Sequence, residues 1–333
     1  MVTYLVRRLG YMIITVALIS IVAFALIQLP PGDFITTMIN QLEAQGTIVD
    51  AEMAQNLRQQ YGLDRSLIAQ YTTWVSGILT RGDFGWSFAY LRPVSVLIWE
   101  RFFLTISVTL SAMIFTWVVA IPIGILSAVK QYSIFDYIAT VLGFLGLAIP
   151  NFMFALVLMW FSFDFFGVNV TGLFSPAYQQ APWSFAKFLD LLGHIWVPMV
   201  IIGTAGTAGL IRTLRANLLD ELRKPYVTTG RSKGLKFSRV LLKYPVRIAL
   251  NPFVSALALQ FPSLISGVAI TAIVLNLPTL GPLLLSSLQS QDMYLAGSIV
   301  LMMSSLTVIG VLVSDILLAV LDPRIRFGGR KSV

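Results

Sequence analysis

Six apolar runs, each near or beyond the length that crosses a bilayer, constrain this chain more than any other feature. They fall at about Leu9–Leu29, Phe103–Val129, Ile138–Phe166, Ile195–Ile211, Phe253–Asn276 and Ala296–Leu321. Roughly 20 apolar residues in a helix span ~30 Å of hydrocarbon, and a helix satisfies its backbone polar groups without water. Only 11% of the 333 residues are charged, less than half the share of about 25% in a soluble domain. The expected fold is an all-α membrane protein with six transmembrane helices.

The first run follows Arg7 and Arg8 and closes on Pro30 and Pro31. A signal peptide has similar flanks, but its apolar core is about 7–15 residues and ends at a small-residue cleavage site. Residues 1–31 therefore read as a short tail and a retained first span. Residues 32–101 read as an external helical loop. Asp50 can cap a short helix with Met53, Leu57 and Tyr61 on its apolar side. Asp64 can cap a second, whose stripe of Leu67, Ile68, Tyr71, Trp74, Val75 and Ile78 would lie on the membrane surface or on top of the bundle. Arg81–Ser87 (RGDFGWS) is a glycine-punctuated turn before the chain re-enters the membrane. Residues 102–323 form a five-helix core interrupted by the polar segment 212–252, and 324–333 form a tail. Pro122, Pro150, Pro198 and Pro262 fall in or at the edges of the runs, where neighbouring helices can re-satisfy the backbone. Gly203, Gly206 and Gly209 give the fourth span a small-residue face for close packing.

Charge sets the orientation. With the N-terminus inside, segments 1–8, 130–137, 212–252 and 322–333 hold seventeen of the 23 Lys and Arg, and the outer loop 277–295 holds none. The positive-inside rule then puts both termini in the cytoplasm. A pI near 9.8 has the same origin, so nucleic acid is not an expected partner.

The residues of catalysis are scarce. The sequence has no GxxxxGK[ST] phosphate loop and no cysteine, and His194 is its one histidine. A backbone ATP cradle, a thiolate site and a multi-histidine metal site are all excluded. The chain should bind no cofactor or metal and carry no catalytic residue. His194 reads as an interfacial polar residue at a helix start. Asp164 and Asp315 lie close to span ends. A proton relay is the sharper reading of such carboxylates; pairing of Asp315 with Arg212 or Arg215 is the simpler one, and it is preferred. In the fifth run Gln260, Ser263, Ser266, Thr271 and Asn276 break the apolar pattern. Polar groups in lipid are costly unless they face a wet path or another helix, so these five either line a translocation path or bond between helices.

The segment Arg212–Pro252 carries ten Lys and Arg against Asp220 and Glu221, a difference equal to the whole chain's formal charge of +8. Its first part, Arg212–Arg223, continues the fourth helix with Leu214, Leu218, Leu219 and Leu222 on one stripe. Lys224-Pro225 breaks that helix. A short helix follows over Pro225–Lys233, with proline in its first turn and Gly234 at its stop. Phe237–Leu250 is expected as a third helix leading into the fifth span. A short helix held between two helical arms can be gripped by a partner and can pass rigid-body motion into the spans. A basic loop that merely obeys the positive-inside rule is the plainer alternative.

The sequence PYVTTGRSKGLKFSRVLLKYPVRIALNP (225–252) resembles the EAA loop in permease subunits of ABC importers of the dipeptide, oligopeptide and nickel class. The matching positions are Tyr226, Val227, Thr229, Arg231, Lys233, Gly234, Leu235, Arg239, Val240, Leu241, Arg247, Ala249, Leu250 and Pro252. Thr228, Gly230 and Ile248 depart from the class, which has Arg, Ala and Asn there, and Gly230 lowers helix propensity by roughly 1 kcal/mol against alanine. Similar likenesses run through Gly62–Ser87, Glu100–Leu110, Leu277–Leu301 and Leu321–Arg326, nearly the full length.

The resemblance implies a type I importer permease in a prokaryotic cytoplasmic (inner) membrane. Its partners would be a second, homologous permease, two cytoplasmic ABC ATPase subunits that hold ATP and magnesium, and an extracytoplasmic substrate-binding protein. Pro225, Tyr226, Val227, Thr228, Thr229, Gly230, Arg231, Ser232, Lys233 and Gly234 would form the coupling helix seated on one ATPase. Peptides are the class default cargo; oligosaccharides and nickel are alternatives within it. An ion-gradient-driven secondary transporter is the alternative from another class, and would need intramembrane acids or broken helices near the midplane.

Overall fold

The computed structural model describes residues 2–28, 55, 65–87, 89–251, 253 and 269–321. In chain order the elements are α1 (Val2–Gln28), α2 (Leu67–Arg81), the two-residue strands β1 (Trp86–Ser87) and β2 (Arg92–Pro93), α3 (Val94–Val129), α4 (Ile134–Ala148) and α5 (Asn151–Phe166). Then come α6 (Phe185–Leu222), α7 (Pro225–Ser232), α8 (Phe237–Lys243), α9 (Pro245–Ala249), α10 (Ala269–Val274), α11 (Leu280–Gln289) and α12 (Met293–Leu321). Among the described residues four stretches are long and apolar enough to cross a membrane: Val6–Gln28, Val94–Val129, Phe185–Leu222 and Met293–Leu317. The bent pair α4–α5 makes a fifth if counted as one span.

The run expected as one helix over Ile138–Phe166 is thus two helices. α4 and α5 meet at 102°. Pro150 is the reason: it disfavours helical backbone at the residue before it, and Ile149 is accordingly extended, with φ −88 and ψ 120. At 1.5 Å per residue neither piece reaches ~30 Å alone. Pro122 and Pro198, by contrast, lie inside unbroken helices. Of the fifth run, only Phe253 and residues 269–276 belong to the described part.

The core is built on close approach between α3 and α6, the most extensive helix contact. Gly203 makes it possible: a Cβ there would fall 2.5 Å from Phe115 Cδ1 and 3.0 Å from the Ala112 carbonyl oxygen. Thr116 Oγ1 crosses from α3 to donate to the Gly203 carbonyl at 2.9 Å. Gly206 has ordinary contact with Thr116, but Gly209 has open space, so the expected three-glycine face narrows to two. α1 packs on α12 by the same device, since a Cβ on Gly297 would meet Ile27 Cγ1 at 2.4 Å.

α2 leans on α1. Tyr71 donates to or accepts from Ser20 Oγ at 2.7 Å, and its ring and that of Trp74 lie against Phe24. The aromatic part of the expected stripe therefore faces the bundle, while Leu67 and Ile68 at its start are exposed. Ser66, not Asp64, caps this helix, accepting from the Ala69 amide; Asp64 and the Asp50 helix lie outside the described residues. After α2 the RGDFGWS turn uses left-handed backbone at Gly82 and Gly85 and forms an antiparallel pair with Arg92–Pro93. Asp292 closes this region: its carboxylate accepts from Ser87 Oγ at 2.6 Å and from the Ala89 and Leu295 amides.

Asp315 has a different partner from the two expected for it. It pairs with Arg8 of α1 at 2.8 Å, not with Arg212 or Arg215. Arg215 instead binds Asp136 in the first turn of α4. The pairing reading holds with a different partner. Asp164, near the end of α5, is exposed. His194 lies one turn beyond Asp190 in the body of α6 rather than at its start, and its Nδ1 donates to the Asp190 carbonyl at 2.7 Å.

Candidate functional site

The polar segment folds as a lobe of short helices rooted in α6. Leu214 and Leu218 are fully buried against Leu241, Val246, Ala249 and Phe253, so the extension of α6 beyond Arg212 is packed rather than frayed. Burying one leucine contributes about 2–3 kcal/mol, enough to make the root of the lobe stiff. α6 ends at Leu222, and Lys224 takes extended backbone, φ −74 and ψ 147, ahead of Pro225.

α7 begins on that proline, whose missing N–H costs nothing at a first helical position. It is fixed at three points. Tyr226 donates its phenol proton to Glu221 Oε2 at 2.6 Å, and Lys224 binds the other oxygen of the same carboxylate. Val227 is buried at 4% exposure. Gly230 faces Val240 of α8 so closely that a Cβ would stand 3.3 Å from its Cγ2. The residue that weakens α7 as an isolated helix thus lets it pack tightly on the next one. Tyr226 also meets the Tyr244 ring edge-on, with centroids 6.4 Å apart. Burial, and then the Glu221 carboxylate, push the Tyr226 phenol pKa up.

The stop of α7 is as expected. Gly234 has φ +80, with its N–H bonded to the Arg231 carbonyl and the Leu235 N–H to the Gly230 carbonyl, a left-handed cap that a side chain would strain. Beyond it the expected single helix Phe237–Leu250 is two. Pro245 cannot donate its backbone hydrogen, and Tyr244 kinks to φ −120 and ψ −75 between α8 and α9. Residues 231–239 are all exposed and include Arg231, Lys233, Lys236 and Arg239 with no acidic residue among them. The Arg231 guanidinium lies over the Phe237 ring, 5.6 Å from its centroid. This is an electropositive surface that runs from the end of α7 through the linker to the start of α8.

Of the five polar residues of the fifth run, two are among the described residues. Gln260, Ser263 and Ser266 lie outside the described residues. Thr271 on α10 is buried at 1% exposure. Asn276 is exposed and left-handed, φ 51, in the turn after α10. Among the described residues no group of His, Cys, Asp and Glu could hold a metal ion.

Sequence reasoning missed Asp136, Glu221 as an anchor, and Arg8 as the partner of Asp315. The first had a signal: Ser133-Ile-Phe-Asp136 ahead of an apolar run is a helix-start pattern, and Ser133 Oγ does accept from the Asp136 amide. The other two depend on helix placement and had none.

A bundle of membrane-length helices with one electropositive helical lobe defines a polytopic membrane protein. The family described as binding-protein-dependent transport system inner membrane component matches residues 120–327, and the N-terminal membrane-component family of the same systems matches residues 1–109. The chain is similar to the oligopeptide transport system permease protein AppB of Bacillus subtilis, 35% identical over 328 residues that cover 98% of this chain and 100% of that protein. It is also similar to the dipeptide transport system permease protein DppB of Escherichia coli (31% over 342 residues, 98% and 99%). The glutathione transport system permease protein GsiC of Salmonella typhi is 31% identical over 327 residues (98% and 100%). The chain belongs to the family of binding-protein-dependent transport system inner membrane components, as a multi-pass permease subunit of the cytoplasmic membrane.

Proposed function

We propose that the chain forms half of the translocation path of an ATP-driven importer of peptides, with α7 as its coupling helix. The observation that carries this reading is the lobe itself: α7 is a separate helix, fixed to the end of α6 through Tyr226–Glu221 and to α8 through Gly230–Val240, with basic residues outward. A force on α7 must therefore move α6 as a rigid body. The peptide cargo rests on the oligopeptide, dipeptide and glutathione systems of the similar proteins.

In this reading the chain crosses the membrane six times with both termini in the cytoplasm, residues 102–323 forming the core and 32–101 the external loop. It pairs with a second permease, two ATPases that hold ATP and magnesium, and an external substrate-binding protein. Thr271, Asn276, Gln260, Ser263 and Ser266 are the proposed path-lining residues.

The decisive experiment changes the cap of α7. Gly234→Val forces a β-branched residue into left-handed backbone at a cost of about 1–2 kcal/mol, while the apolar helices stay intact. Charge reversal at Arg231 or Lys233 should weaken ATPase binding in a salt-sensitive way. Normal membrane levels with lost ATPase co-purification or lost transport in vesicles is the expected result. If all three variants assemble and transport as the parent does, α7 is not the coupling element.

A further inference from the structure

Between α4 and α6 lies a partly open cleft of about 170 Å³. Its walls are Ala139, Gly143, Phe144 and Leu147 on one side and Ala208 and Ile211 on the other, with Arg212 and Arg215 at one end. The small residues create it: the ideal Cβ of Gly143 would be 3.7 Å from the Ala208 Cβ, so the helices run close there with little side chain to cover the seam. The two arginines differ. Arg215 is neutralised by both oxygens of Asp136. Arg212 has no ion-pair partner among the described residues; its guanidinium lies over the Phe144 ring, 5.9 Å from the centroid, and is exposed.

Depth fixes what such a cleft can hold. From Ile195 to Ile211 α6 carries no charged residue and it turns basic at Arg212, so the arginine stands at the border between hydrocarbon and water. The neighbouring outward face of α4 shows Tyr137, Ile138, Val141, Leu142 and Leu145 to its surroundings, an apolar, acyl-chain-compatible surface. An unneutralised cation at the interface, over an apolar slot leading into the hydrocarbon, is the pattern that holds an anionic lipid by headgroup and chain together. We propose that the α4–α6 cleft is a binding site for an anionic phospholipid, its phosphate on Arg212 and one acyl chain along Gly143, Leu147 and Ala208.

The site would anchor the lipid beside the root of the lobe, where Arg215–Asp136 already joins the same two helices. The test uses the full chain in mild detergent micelles and native mass spectrometry with phosphatidylglycerol, against phosphatidylcholine of the same acyl chains. The wild-type chain should retain one phosphatidylglycerol more strongly than phosphatidylcholine. Arg212→Gln should weaken that preference about fivefold, the worth of one interfacial arginine, and Arg212→Lys should keep most of it. Thr140→Trp, in the lining of the cleft, should exclude either lipid, while Arg239→Gln, outside the cleft, should leave lipid retention by the isolated chain unchanged. Unaltered binding in both Arg212→Gln and Thr140→Trp overturns the proposal. So does displacement of the lipid by inorganic phosphate at equal concentration, which marks a free-anion site. Expulsion of the lipid when the chain assembles into its transporter would make this face a subunit interface and overturn it too.

Discussion

Arg215 and Asp136, 79 residues apart, are joined by two parallel hydrogen bonds: Nε donates to Oδ1 at 2.8 Å and Nη2 to Oδ2 at 2.7 Å. The carboxylate side chain is 4% exposed. It also accepts from the Tyr132 amide at 3.0 Å, where the chain turns through left-handed backbone at φ 62. One buried acid thus fixes the turn between α3 and α4 and pins α4 to α6. Such two-pronged geometry is specific to arginine.

Removing one partner leaves the other charge uncompensated. Asp136→Ala should cost about 3 kcal/mol, the lower end for a broken buried pair because Arg215 is partly exposed. Asp136→Ala combined with Arg215→Met should recover part of that loss. Thermal unfolding in detergent measures both; a double variant no more stable than the single one would show that the pair is not what holds this turn.

The glycines of α6 separate by position. Gly203→Val drives a side chain into Phe115 and the Ala112 carbonyl and should destabilise the α3–α6 contact by about 1–3 kcal/mol. Gly209→Ala meets open space and should be neutral or add up to ~1 kcal/mol of helix stability. Equal effects in a melting comparison would contradict the packing described for Gly203.

What could be read from residues alone divides along physical lines. Apolar runs located α1, α3, α6 and α12 because lipid requires local hydrogen bonding, which is a property of one segment at a time. Pro225 and Gly234 bounded α7 for the same reason: each acts on its own backbone. Pro150 and Pro245 had equal power to break a helix, yet their runs were expected unbroken, because Pro122 and Pro198 show that a proline inside a membrane helix is tolerated when its neighbours allow it. The partners of Asp315 and Arg215 were out of reach, since they depend on which helix ends meet. Gly230 shows the limit most clearly. Propensity marks it as a weak point, and only its distance to Val240 turns it into a packing site.

Asp292 makes a prediction on the side of the bundle away from the lobe. It accepts from Ser87 Oγ, from the Ala89 amide and from the Leu295 amide, and it is 2% exposed. Asp292→Ala orphans these donors at about 1–3 kcal/mol each where they stay dry, so the strand pair Trp86–Pro93 should loosen before the apolar helices do. Hydrogen exchange of residues 86–93 should rise while that of α3 and α6 is unchanged. Unchanged exchange in both would mean that the hairpin is held by its own ladder.

The last prediction concerns how α7 is held at its angle. Glu221 is 8% exposed and receives the Tyr226 phenol at 2.6 Å as well as Lys224. The phenol's pKa is raised above its ordinary value by burial and then by this carboxylate. A raised folded-state pKa means that the contribution is fully present below the unfolded value of about 10 and lost only as pH climbs through the folded one. The contact should therefore be insensitive to pH throughout the neutral range. Tyr226→Phe removes a hydrogen bond to a charged group, about 1.5–3 kcal/mol, but keeps the ring against Tyr244. If α7 transmits force through this bond, the variant should insert and bind the ATPases normally yet transport severalfold less per ATP hydrolysed. Glu221→Gln, whose side-chain oxygen can still accept from the phenol, should recover more coupling than Glu221→Ala. A Tyr226→Phe transporter with unaltered transport per ATP would show that Val227 and Gly230 hold α7 by packing alone.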